Sequence, residues 1–171
     1  MNDVVTREEE DRYAELQRIA LDFARSGNTE ELQKMLNAGL PVNLMDEKGN
    51  SLLMLAAYNG NLDTTQMLID LGADVNRVND RGQSPLAGVA FKGYVAISER
   101  LLRAGADIHA DNGGGMKPVH FAMLFGRDEV RSLLEEYEAK DKNRPVGRTR
   151  LLPAIARLIG WVRKAFRLNR K

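Results

Sequence analysis

The sequence predicts an all-α stack of short helical repeats, and three observations predict it. Residues 46–79 reappear 33 positions later with their punctuation in register: Gly49, Gly60 and Gly72 return as Gly82, Gly93 and Gly105. The run Leu71-Gly72-Ala73-Asp74-Val75-Asn76 returns as Ala104-Gly105-Ala106-Asp107-Ile108-His109. Between the glycines, apolar residues recur every three or four positions, the period of a helix with one buried face. A fixed period of this length marks units that bury their apolar faces only against their neighbours.

Taken in order, Thr6 followed by Glu8, Glu9 and Glu10 reads as a helix start, because the hydroxyl can accept from the third helical amide while the carboxylates sit near the positive end of the dipole. Tyr13, Leu16, Ala20 and Phe23 give that helix one apolar side, and it ends near Ser26-Gly27. Asn28 is the expected cap of a second helix, with Leu32, Met35 and Leu36 inward and Gly39 as its stop. This pair is expected to close the stack with a charged outer face. Each central copy then has two short helices around a Gly-centred turn, followed by a hairpin-like loop; Gly60, Gly93, Gly126, Gly72 and Gly105 are expected at positive φ. Gly113-Gly114-Gly115 reads as a flexible hairpin tip, since no Lys-Ser/Thr pair follows to make it a phosphate loop.

The repeated residues resemble the ankyrin repeat, whose pattern runs Gly, Thr-Pro-Leu-His, Ala-Ala, Gly, Leu-Leu and Gly-Ala-Asp-Val-Asn. One copy has Gly49, Ser51-Leu52-Leu53-Met54, Ala56-Ala57, Gly60, Leu68-Ile69 and residues 72–76. The next has Gly82, Ser84-Pro85-Leu86-Ala87, Val89-Ala90, Gly93, Leu101-Leu102 and residues 105–109. A third runs through Gly115, Lys117-Pro118-Val119-His120, Ala122-Met123, Gly126 and Leu133-Leu134, and a degenerate first copy has Phe23-Ala24, Gly27, Met35-Leu36, Gly39 and Val42-Asn43. The resemblance implies a solenoid of about four helix-turn-helix units, at roughly 10–45, 46–78, 79–111 and 112–138. The expected division is a repeat domain over 1–140 and a separate tail over 141–171.

The resemblance further implies a protein partner on the concave side, at Glu47, Lys48, Asn50, Tyr58 and Asn59 in one copy and Asp80, Arg81, Gln83, Phe91 and Lys92 in the next. In the last copy the positions are Gly113, Gly114, Met116, Leu124 and Phe125. On physical grounds Tyr58, Phe91 and Leu124 place one large apolar side chain per repeat along one face, with Arg81 and Lys92 as rim; Phe125 is counted with Tyr58 and Phe91 as a presented aromatic. His120 holds the histidine position of the Thr-Pro-Leu-His element, a structural role, with Lys117 where the family has Thr. His109 replaces the Asn of the other copies and reads as loop-stabilising, a pH-sensitive contact being the sharper alternative.

Chemistry-bearing constellations are scarce. There is no cysteine, and two histidines without a carboxylate cluster make no metal site. No base accompanies a serine, so the chain is expected to be no enzyme and to need no cofactor. The opening MNDVVTREEE lacks an apolar core behind a basic leader, so no secretory signal is expected, and no apolar stretch approaches about 18 residues. A monomer in the cytoplasm is the expectation.

The net charge of +1 hides a split: residues 142–171 carry ten basic residues and no acidic one, which leaves 15 Lys+Arg against 24 Asp+Glu, a balance of −9, in residues 1–141. After a basic linker with Pro145 and Gly147, Leu151, Ile155, Leu158, Val162 and Phe166 share one helical side, widened by Leu152 and Ile159. Arg157, Lys164, Arg167 and Lys171 form the other side, with Arg163 at the flank and Trp161 in the apolar region. Such a segment suits a cap on the last repeat, a fold-back onto the acidic body, or an anionic membrane surface reached through Arg157, Trp161, Arg163, Lys164, Phe166 and Arg167. The last of these would make the chain a peripheral membrane adaptor at the inner face of the membrane. A single aromatic does not make a base-stacking platform, so nucleic acid is not an expected partner.

Overall fold

The computed structural model describes residues 6–142, and all of the expected helix pairs lie within them. They are α1 (Arg7–Ser26) with α2 (Thr29–Asn37), α3 (Leu52–Tyr58) with α4 (Leu62–Asp70), α5 (Pro85–Lys92) with α6 (Val95–Arg103), and α7 (Pro118–Leu124) with α8 (Asp128–Lys142). Residues 6–138 fall within one compact unit. In it α1, α3, α5 and α7 pack in sequence as one layer, and α2, α4 and α6 as a second behind it. No strand is present among the described residues; the one β-bridge joins Met45 to Ser51.

The starts of α1, α3, α5 and α7 have chemical causes, while α2, α4 and α6 begin without a side-chain cap bond. Thr6 caps α1 as expected: its hydroxyl accepts from the Glu9 amide at 3.3 Å while the Glu9 carboxylate accepts from the Thr6 amide at 2.8 Å. The buried hydroxyls of Ser51 and Ser84 accept from the Met54 and Ala87 amides at 3.1 and 3.2 Å. Lys117 cannot accept at the equivalent place, and there the His120 ring takes over, Nδ1 accepting the Lys117 amide at 3.1 Å. The histidine thus keeps its structural role without the family's threonine, because its partner is backbone. Asn28 holds the cap position of α2 but makes no side-chain bond to it; Thr29 Oγ1 is instead 2.7 Å from Thr64 Oγ1 in the next pair.

Glycine ends the helices where expected, with Gly27 and Gly93 as left-handed caps whose amides bond to Phe23 and Val89 carbonyls. Gly113, Gly114 and Gly115 all have positive φ, at 104°, 63° and 78°. The loop they form is not the slack tip that the sequence suggests. The Gly113 and Gly115 amides both donate to Asp111 Oδ1, at 2.9 and 3.0 Å, closing it from within.

The core runs through the inner layer: Ala20, Ala24, Leu52, Leu53, Ala56, Ala57, Leu86, Val89, Ala90 and Ala122 are buried, with Leu32, Leu68 and Leu101 from the second layer and Val130 and Leu134 from α8. Alanines at 56, 57 and 90 let neighbouring helices approach closely. The first half of α1 behaves differently from its pattern: Tyr13 and Leu16 stay 47% exposed, because α1 has 20 residues and its partner α2 only nine.

Candidate functional site

The three loops ahead of α3, α5 and α7 project as fingers, and one bonding scheme builds them all. The first loop residue accepts with Oδ1 from the amides two and four positions on: Asp46 from Lys48 and Asn50, Asn79 from Arg81 and Gln83, Asp111 from Gly113 and Gly115. A backbone bond closes each loop, Asp46 to Asn50, Asn79 to Gln83 and Asn112 to Met116. Fingers are then tied sideways, the Asp80 amide donating to the Lys48 carbonyl at 3.1 Å and Asn79 Nδ2 to Asn50 Oδ1 at 2.9 Å.

Asp46 is the charged member of this series. Burial works against its ionisation, but the Asn50 side chain and amide, the Lys48 amide and the Arg25 guanidinium outweigh that and hold the carboxyl below its ordinary range. Arg25 reaches it at 3.0 Å from α1. A depressed carboxyl contributes stability that is complete above its unfolded pKa, about 4, and is lost as pH falls through the folded value. Asp46→Asn retains the Oδ1 bonds, as Asn79 shows, and loses the two that Oδ2 accepts, from Arg25 and from Asn50 Nδ2. We expect it to cost about 1 kcal/mol at pH 7, since Arg25 is part-exposed, and to show a shallower loss of stability on acidification than the unsubstituted protein in urea titrations between pH 7 and 2. Parallel acid limbs would show that Asp46 does not carry the linkage.

Between fingers and inner helices lies a groove of about 580 Å³. Of the residues expected at a partner surface, Glu47, Lys48, Asn50, Tyr58, Asp80, Arg81, Gln83, Phe91 and Phe125 line it. Tyr58 and Phe91 lie parallel with ring centroids 6.3 Å apart, and Phe91 meets Phe125 edge-on at 4.4 Å. Leu124, the register equivalent of Tyr58 and Phe91, is not the third rung: it is 69% exposed and away from the groove, and Phe125 takes its place.

Asn59 also lies off the groove, its amide turned back to the Leu55 carbonyl at 2.7 Å. Lys92 sets its ammonium 5.0 Å from the Tyr58 ring centroid. Met116 closes its own loop through its carbonyl, while Gly113 and Gly114 are exposed at the third finger. The expected membrane-facing residues Arg157, Trp161, Arg163, Lys164, Phe166 and Arg167 lie outside the described residues.

The floor adds residues that the variable positions do not include: Met54, Leu55, Ala87, Gly88 and Phe121. A signal for them exists in the repeat register. Met54-Leu55 becomes Ala87-Gly88 in the next copy, and that drop in side-chain size hollows the floor beneath Tyr58 and Phe91.

Stacked helix pairs with bonded fingers over a shallow groove define a repeat scaffold that presents a surface. The chain belongs to the ankyrin repeat family: the family model for ankyrin repeats in three copies matches residues 20–112. The pair α7–α8 lies beyond the match, and α7 continues the inner layer by packing on α5. The chain is also similar to a Pseudomonas aeruginosa (strain PAO1) chain named as an ankyrin repeat protein, 55% identical over 38 residues, a match spanning 22% of either chain. Ankyrin repeats are generally protein–protein interaction modules.

Proposed function

We propose that this protein is a non-enzymatic binding module, an adaptor, inhibitor or scaffold, which holds a protein partner in the groove between its fingers and inner helices. The observation that carries this reading is the aromatic ladder of Tyr58, Phe91 and Phe125, with Tyr58 42% and Phe125 44% exposed although each is gripped by a neighbouring ring. Ordered apolar area left open and rimmed by Glu47, Lys48, Asp80 and Arg81 is the anatomy of an interface centre.

The test starts from a photocrosslinking residue at Gln83, which recovers the partner in cells, followed by affinity measurements on the purified pair. Tyr58→Ala and Phe125→Ala are each expected to weaken binding by about 2 kcal/mol, roughly thirtyfold. Leu124→Ala, more exposed yet off the groove, is expected to leave it unchanged. Equal losses at 124 and 125 would place recognition elsewhere.

A further inference from the structure

The groove has finger walls whose backbone amides at 48–50 and 80–83 are already engaged. In the first finger the Lys48 and Asn50 amides donate to Asp46 Oδ1 and the Gly49 amide to the Asp46 carbonyl. In the second, Arg81 and Gln83 donate to Asn79 Oδ1, Gly82 to the Asn79 carbonyl and Asp80 across to Lys48. The side-chain amides follow suit, Asn50 Nδ2 donating to Asp46 Oδ2 and Asn79 Nδ2 to Asn50 Oδ1. A peptide binding as an added strand needs free backbone donors along the edge it joins. These fingers offer none at 48, 49, 50, 80, 81, 82 or 83, so an extended chain laid along them would bury its own carbonyls unpaired.

What remains unsatisfied is apolar area and charge. The rings of Tyr58, Phe91 and Phe125 line the groove together with a floor that includes Phe121 and the small residues Ala87 and Gly88. Glu47, Lys48, Asp80 and Arg81 line the finger side without an ion pair among the described residues. We propose that the groove takes an amphipathic α-helix of a protein partner. Its backbone is closed within itself, and its large apolar side chains recur at i, i+4 and i+7 with charged residues of both signs flanking them. A helix advances about 5.4 Å per turn, close to the 6.3 Å between the Tyr58 and Phe91 rings. One helical turn thus matches the step between the two parallel rings, while Phe125, edge-on against Phe91 at 4.4 Å, closes that end of the ladder. This inference rests on the groove being the recognition surface.

The probe is a displayed library of random 18-residue peptides, selected on the immobilised full-length protein. Enriched peptides are then measured against two variants whose folding is checked by melting. Tyr58→Ala removes the first rung. Gly88→Leu fills the floor, where even a Cβ comes within 3.3 Å of the Tyr58 ring. The expected result is enrichment of apolar residues at i, i+4 and i+7, binding at least tenfold weaker to both variants, and loss of binding when a proline is placed mid-peptide. Enriched peptides with alternating apolar residues that still depend on Tyr58 and Gly88 overturn the helix and leave the groove as the site. Peptides indifferent to both variants overturn the groove itself. No enrichment also overturns the proposal.

Discussion

Asn112→Ala is expected to destabilise the protein by about 3 kcal/mol, a large share of the 5–15 kcal/mol typical of a folded domain. Asn112 is 6% exposed and makes three side-chain bonds. Its Oδ1 accepts the Ser84 amide at 2.7 Å, and its Nδ2 donates to the Ala110 and Met116 carbonyls at 2.8 and 3.2 Å. Truncation leaves the buried Ser84 amide and the Ala110 carbonyl without the partner they have now, at about 1 kcal/mol or more apiece, while the Met116 carbonyl keeps the Asn112 backbone amide. It also unties the third finger from the start of α5, where Ser84 lines the groove. Asn112→Asp sharpens the test: it keeps the acceptor for Ser84 but turns the donor into an oxygen facing two carbonyls. We expect it to cost more than alanine at pH 7, with the excess shrinking as acid protonates the carboxyl. Urea unfolding at pH 7 and pH 4 measures both; a cost under about 1 kcal/mol for alanine would mean that Asn112 is not the tie described.

The helix pairs were legible because their cause is local. Glycines at 27, 60, 93 and 126 all adopt the positive φ that a tight inter-helix turn requires, and Ser51 and Ser84 announce their helices by side-chain chemistry visible in the sequence. The groove was legible only as far as register carries. Tyr58 and Phe91 follow from it, but Phe125 stands where the other copies have Asn59 and Lys92, so register alone points to Leu124. The edge-on contact with Phe91 needs an aromatic ring, which Leu124 does not have. Bonds between repeats were hidden for a different reason. Arg25 to Asp46, Thr29 to Thr64 and Arg127 to the Phe91 carbonyl join residues 21, 35 and 36 positions apart, and such pairs depend on the offset between stacked units, which periodicity does not contain. The triple glycine misleads by composition: its freedom is taken up by Asp111, two residues before it.

Gly49→Ala is expected to cost about 3 kcal/mol and Gly82→Ala about 1 kcal/mol, although the two glycines occupy the same register position with the same φ of +73°. Both alanines carry the strain of a left-handed backbone. Only at 49 does the added Cβ also strike a neighbour, running into Asp80 Oδ1 and coming within 2.8 Å of the Asp80 backbone nitrogen, whereas at 82 there is nothing within 4 Å. The carboxylate can rotate away, but the backbone cannot, because the Asp80 amide is held on the Lys48 carbonyl at 3.1 Å. To admit the methyl group the first two fingers must part, and that breaks the bond which sets their spacing. Adding Asp80→Ala to Gly49→Ala should recover part of the loss, since it removes the Oδ1 clash and leaves the nitrogen in place. Binding reads the same event separately. Lys48 and Asp80 both line the groove, so Gly49→Ala should weaken partner capture at temperatures where the protein is still folded, and Gly82→Ala should not. Equal costs at 49 and 82 would show that backbone strain alone governs the position and that contact between fingers does not hold the groove wall in place.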